Sequence, residues 1–263
     1  MIIMAKVIGK CAICGEYTAL SYEHIPPKDA LNKDGVRVYS GEDAIKRYKG
    51  EQSKYVNRQQ GMGKYSLCQK CNNNTGNWYA KEYSKIAKIT SYWISQDELS
   101  HGDILTFSAE QFPALEFSKQ VIAMFCSIIP YNEVTRLGLD ALLLDKERKL
   151  TGEPLFDLRI YLLHSRPGHH LMVGPSVSLN MNGDAVVTGC CSELSAYPFG
   201  FILNHTPEVP ITFGISIIDM LKADYGKKYK LKWDLQCLEK TSDVLPIPLL
   251  FKPLPSGELL EEK

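Results

Sequence analysis

No stretch of this chain approaches the roughly 20 consecutive apolar residues that a membrane span requires, so no transmembrane protein is expected. The opening M-I-I-M-A-K-V-I-G-K lacks the long apolar core and small-residue cleavage site of a secretory signal, and a cytoplasmic location is expected. Internal repeats and low-complexity tracts are absent. Net charge is absent too: 30 Lys and Arg balance 30 Asp and Glu. With 44% hydrophobic and 23% charged residues, the composition is that of a soluble globular protein. At 263 residues the chain can bury a substantial core without covalent staples. Its eight cysteines are therefore not needed to rescue a small fold. In a cytosolic chain, paired cysteines bind metal more often than each other.

The zero net charge hides an asymmetry. Residues 1–90 hold fifteen Lys and Arg against eight Asp and Glu, or +7, and residues 91–263 carry −7. Four thiolates on one Zn²⁺ would lower the first figure to about +5. A basic part joined to an acidic one suggests that the first meets a polyanion, although an unevenly charged solvated surface would read the same way.

Four cysteines fall in two C-x-x-C pairs, Cys11/Cys14 and Cys68/Cys71. A two-residue spacer lets both sulfurs of a pair face one centre, and two pairs complete a tetrahedral S₄ site for zinc. Such a closed site leaves no open coordination position, which makes the zinc structural. The 53 residues between the pairs must bulge out as a loop, and residues 33–60 of it are polar and basic. Lys46, Arg47, Lys49, Lys54 and Arg58 could track a phosphate backbone there, with Lys28 beside them and Tyr48 and Tyr55 available to stack on bases.

The remaining pattern is mixed. A short helix is expected around Glu42–Tyr48, and Tyr79, Tyr83, Ile86, Thr90 and Trp93 mark one stripe of a helix over Asn77–Ile94. Ala114–Ile129 and Asn132–Leu144 read as helices. Strand-like runs then dominate, at Asp157–Leu163, His170–Val173, Ala185–Cys190, Phe199–Leu203, Ile211–Ile217, Tyr229–Cys237 and Leu245–Phe251, separated by Gly, Pro and Asn. The expectation is an α+β protein: residues 1–95 form a zinc-binding domain, and 96–263 a larger α+β domain with mainly antiparallel sheet. The larger domain's role, whether regulation, sensing or oligomerisation, is open. His101, His164, His169, His170 and His205 carry no metal-ligand spacing, and the adjacent Cys190 and Cys191 suit burial better than a shared ion.

Three residues beside the cysteine pairs could carry chemistry. Glu23 and Asn72 offer hard oxygen ligands suited to Mg²⁺ or Mn²⁺, which can bind a scissile phosphate and offset charge on the departing oxygen. His24 can deprotonate an attacking water near neutral pH. Neighbouring side chains on a regular strand point to opposite faces, so 23 and 24 need an irregular strand end, which Pro26–Pro27 would supply.

The order C-x-x-C, E-H-x-x-P-K, then C-x-x-C-N-N resembles the HNH endonuclease family over residues 11–90, about a third of the chain. That resemblance implies a ββα-metal module of the four-cysteine, treble-clef subtype. It implies His24 as general base and Glu23 and Asn72 as ligands of a catalytic Mg²⁺ or Mn²⁺. The implied activity is metal-dependent hydrolysis of DNA phosphodiester bonds. Nucleic acid, DNA first, is the implied partner; no membrane is implied, and self-association would fall to the C-terminal domain. The family's middle Asn has no counterpart in G-M-G-K-Y-S-L before Cys68, and Asn57 is the nearest substitute. The alternative is a non-catalytic zinc module that binds nucleic acid or protein, which would have no use for a base beside two hard ligands.

Overall fold

The computed structural model describes residues 6–96, 103–164, 170–182, 185–209, 211 and 213–239. Strands β1 (Ile8–Lys10) and β2 (Tyr17–His24) run antiparallel, with the first cysteine pair in the turn between them. A two-stranded ribbon, β3 (Val36–Val38) and β4 (Val56–Arg58), flanks helix α1 (Gly41–Tyr48) and makes up the outward-bulging insert. Ser40 caps α1 by accepting from the Asp43 amide, while Glu42 and Asp43 at its start and Lys46 and Arg47 at its end complement the helix dipole. Strand β5 (Gly63–Cys68) returns along β2 to complete a three-stranded sheet in the order β1–β2–β5.

Helix α2 (Gln69–Thr75) continues through a π-helical turn at Gly76–Ala80 into α3 (Lys81–Ile94). The buried stripe of this unit runs Tyr79, Tyr83, Ile86, Thr90, Ile94. The expected Trp93 is instead 38% exposed and lies against Phe107, because steps of four and three bring Ile94 onto the inner face.

The second half begins with β6 (Ile104–Phe112), a strand the sequence reading missed, followed by α4 (Ala114–Cys126), α5 (Tyr131–Arg136) and α6 (Leu139–Leu144). The single helix expected over Asn132–Leu144 is two, broken where Gly138 takes φ +69°. There follow β7 (Asp157–His164), β8 (His170–Asn182), β9 (Ala185–Ala196), β10 (Phe199–Asn204), β11 (Ile215–Ser216), a 3₁₀ turn at Ile218–Lys222, and β12 (Tyr229–Glu239). Strands β8 and β9 run well past the expected His170–Val173 and Ala185–Cys190. The expected Ile211–Ile217 strand shrinks to two residues, with Gly214 at φ +68° just before it. The Leu245–Phe251 strand lies outside the described residues.

These strands form a seven-stranded sheet in the order β6–β12–β7–β10–β9–β8, with β11 beside β7, and every pairing except β12 with β7 is antiparallel. The chain is thus mixed α+β with mostly antiparallel sheet, as its patterning implied. Among the described residues, no helix is long and apolar enough to cross a membrane.

Helix α4 is buried along its whole length and stands at the centre of the protein. Its Phe117 stacks on Tyr83 of α3 at 5.3 Å and meets Phe199 of the large sheet at 5.6 Å. One continuous apolar core consequently extends from Cys11 to Cys237. Some polar groups of α4 find partners inside it, whereas the Gln120 amide and one Glu116 oxygen have none among the described residues. Glu116 accepts from the Gly226 amide, and the Lys119 ammonium donates to the Asp145 and Lys146 carbonyls beyond α6. Burial pulls the Lys119 amine down to about 8.

The opposite face of the large sheet carries a smaller cluster of Tyr161, Leu163, Cys191, Tyr197 and Ile202. Gly200 sits directly across from Tyr161, and its missing side chain is what lets the ring lie down, since a Cβ there would stand 1.8 Å from the ring. Gly200→Ala is therefore expected to destabilise the protein by about 1–3 kcal/mol through overpacking. Denaturant unfolding would measure this, and an unchanged midpoint would contradict it.

Candidate functional site

The two cysteine pairs meet. Cys11, Cys14, Cys68 and Cys71 place their sulfurs within 4.8 Å of one another, and Cys14 Sγ lies 3.8 Å from Cys68 Sγ. A tetrahedral ion with metal–sulfur bonds of about 2.3 Å needs sulfurs about 3.8 Å apart, so the donor set fits a metal ion such as zinc. Backbone amides support the sulfurs: that of Cys68 donates to Cys11 Sγ at 3.3 Å and that of Cys71 to Cys68 Sγ at 3.4 Å. The Ala12 amide bonds the Ser66 carbonyl, which joins the two turns through the backbone as well. A hydrogen bond from Cys71 holds the Cys11 thiol down at about 4, whereas burial pushes Cys14 up to about 11. Four thiols this close cannot all ionise without a cation among them.

The same frame sets β2 against α2. Asn72, directly after the last cysteine, donates its amide nitrogen to Ser21 Oγ at 2.9 Å and to the Tyr22 carbonyl at 3.1 Å. Its nitrogen end is thus committed to β2, which leaves the oxygen end as the ligand-capable one. Glu23 shares the Ser21 face of β2 by strand alternation and is 7% exposed. Burial pushes its carboxyl up to about 8.

His24 occupies the other face. β2 stays paired through His24, which lies opposite Gly63, and the cis Ile25–Pro26 bond follows only after the strand has ended. The irregularity expected at 23–24 instead falls in β5, where Ser66 is the extra residue opposite Ser21 and Tyr22. Glu23 and Asn72 therefore share one face of β2, and His24 shares the next with Tyr22, whose ring it meets edge-on at 5.1 Å.

The His24 ring is half-buried, and its Nε2 lies 3.0 Å from the Gln60 carbonyl. A carbonyl only accepts, so Nε2 carries the proton and Nδ1 is the basic nitrogen. Desolvation lowers the imidazole from its ordinary value, and the nearby Lys28 charge adds to this. Lys28 is exposed beside the ring.

The asparagine that organises this loop is one the sequence reading overlooked. Asn57 is exposed on β4. Asn32 is 1% exposed, and its amide donates to the Pro26 and Met62 carbonyls at 2.6 and 2.8 Å while accepting from the Met62 amide at 2.7 Å. It ties the chain after β2 to the segment that presents the Gln60 carbonyl to His24. Gly61 at φ +85° permits this approach, because a Cβ there would lie 2.1 Å from the Asn32 carbonyl oxygen. Nothing in the spacing of A-L-N-K-D-G marks Asn32 out.

Of the basic residues expected on the insert, Arg47, Lys49, Lys54 and Arg58 are exposed. Lys46 pairs with Glu42, and the Arg47 guanidinium lies over Tyr39. The side chains of Arg37, Tyr55, Tyr39 and Arg47 form one row of ring and cation contacts, in which Arg37 covers a face of Tyr55 at 4.7 Å. A second polar cluster went unnoticed in the sequence: buried His205 bonds Ser192 Oγ through Nε2 at 2.8 Å and meets Glu133 through Nδ1 at 3.3 Å. His101 and His169 lie outside the described residues.

Comparison of this chain with protein-family models, with curated proteins and with solved structures found no match.

Two outcomes are expected. Purified protein should carry about one zinc-like ion per chain, lost in Cys71→Ser together with thermal stability; elemental analysis near zero would refute this. Asn32→Ala should cost about 1–3 kcal/mol, because it strands the Met62 amide, whereas Asn57→Ala should stay within about 0.5 kcal/mol. Equal denaturant midpoints for the two would contradict that assignment.

Proposed function

We propose that this chain is a metal-dependent endonuclease of HNH type that hydrolyses phosphodiester bonds, DNA first. In this reading a treble-clef zinc module at residues 11–90 carries the site. The observation that supports it most is the His24–Gln60 hydrogen bond. A solvent-reachable imidazole is clamped at one nitrogen by a backbone carbonyl and, among the described residues, free at the other, which is the arrangement a general base requires. His205, by contrast, has both nitrogens engaged, by Ser192 and Glu133.

Nδ1 of His24 takes a proton from a water molecule, and the resulting hydroxide attacks phosphorus as the bond to the 3′ oxygen breaks. Glu23 and Asn72 Oδ1, on the opposite face of β2, are the oxygen donors that would hold Mg²⁺ or Mn²⁺. When bound, that ion supplies charge stabilisation for the phosphorane and the leaving oxygen. The donor types suit such an ion: a carboxyl 7% exposed on the Ser21 face of β2, and an amide oxygen left over after its nitrogen is committed to that strand. Lys28 and the exposed cations of the insert, Lys49, Lys54 and Arg58 among them, would meet the phosphate backbone. The zinc holds hairpin and helix together and takes no part in the reaction.

Plasmid nicking titrated with Mg²⁺ and Mn²⁺ tests the reading. His24→Ala should lose about 10²–10⁴-fold in rate with zinc content intact, and extra metal should not restore it. Asn72→Ala and Glu23→Ala should recover in part as metal is raised. A folded wild type inert with every metal and nucleic acid tried would leave the non-catalytic binding module in its place.

A further inference from the structure

Leu31 is the single non-glycine residue with positive φ among the described residues, at +63°. For a branched side chain this conformation costs roughly 1–2 kcal/mol, so its surroundings must hold it there. They do so from far along the chain. The Leu31 side chain packs on the small cluster of Tyr161, Leu163, Cys191, Tyr197 and Ile202, on the outer face of the seven-stranded sheet. It is the contact by which the loop after β2 reaches that face.

Its neighbour, Asn32, faces the other way and is fixed just as firmly. The three hydrogen bonds of Asn32 bind Pro26 and Met62. Gly61 packs against its carbonyl, and Gln60, one residue earlier, supplies the oxygen that orients His24. A continuous physical path thus runs from the sheet face through Leu31 and Asn32 to the Gln60 carbonyl and the imidazole. A bend at Leu31 is what lets consecutive side chains serve the sheet and the loop. Released from the cluster, the backbone would relax toward negative φ and carry Asn32 with it.

We infer that Leu31 is a positioning residue through which the outer face of the seven-stranded sheet sets the orientation and tautomer of His24. The C-terminal sheet is then part of the site's support. The inference rests on the reading of His24 as a base only for its catalytic consequence, since the coupling itself concerns the ring.

The test uses the full-length protein and ¹⁵N NMR of its histidines at pH 8, where the neutral imidazole reports its tautomer, together with nicking kinetics. Wild-type His24 should show the Nε2–H form alone. Leu31→Ala should give a mixture of tautomers and a kcat lower by about 10-fold with KM little changed. Leu31→Met, which refills the contact, should restore both. Asn32→Asp, which keeps shape but replaces the donating amide nitrogen, should disturb the tautomer in the same sense. A folded Leu31→Ala whose His24 signals match wild type would overturn the inference. An inert wild type whose His24 tautomer still responds to Leu31→Ala would support the coupling and remove only the nuclease reading.

Discussion

The convergence of four sulfurs is the constraint on which the N-terminal part of the molecule depends. β1 and β5 are short, and the insert between the cysteine pairs contributes little buried apolar surface of its own. Without a tie between the turn at Cys11–Cys14 and the start of α2 at Cys68–Cys71, only the Ala12–Ser66 backbone bond and the two Asn72 hydrogen bonds would hold α2 across β2. With the tie, Asn72 is delivered onto Ser21 and Tyr22, and the long α2–α3 unit leaves the cluster in a defined direction. Tyr79 and Tyr83 are thereby brought onto α4 and the large sheet. A local coordination site thus sets the placement of a helix that crosses the whole core.

That core makes the two halves mechanically continuous. The stacking of Tyr83 on Phe117, and the edge-on contact of Phe117 with Phe199 of β10, join α3 to the sheet through a helix with no exposed face. On the far side Leu31 makes a second contact between them. An N-terminal module gripped at two separated places cannot drift relative to the sheet without breaking one of them. The basic insert, by contrast, projects from the module as a ribbon and helix with most of its cations in solvent, as a surface that meets a polyanion would need.

The polar chemistry of the proposed site divides by strand alternation. One face of β2 carries the buried carboxyl and the amide that would hold a cation, and the other carries the imidazole. A carboxyl this buried has little solvation to lose to a cation, and a ring bonded through one nitrogen has little freedom to lose on reaction. Cleavage would draw on both faces at the end of the strand.

The sequence alone determined the four-cysteine cluster that could hold a metal ion, because two-residue spacing between thiols has few other physical uses and the four sulfurs need only be near one another. It also determined most helices and strands, whose patterning is a local property: the stripe from Tyr79 to Thr90, the strand-like run Phe199–Leu203, and the apolar spacing of α4 were all legible. What tertiary structure decided was every relation whose partner is distant in sequence. Asn32 is an ordinary loop residue until Met62 arrives beside it. Leu31 has no signal for its positive φ, because the force holding it comes from residues more than a hundred positions away. Tyr55 appeared free to stack until folding placed Arg37 over it. Strand β6 was missed because its pairing partner, β12, lies more than a hundred residues later, and the break at Gly138 because helices as short as α5 and α6 are fixed by what they pack against.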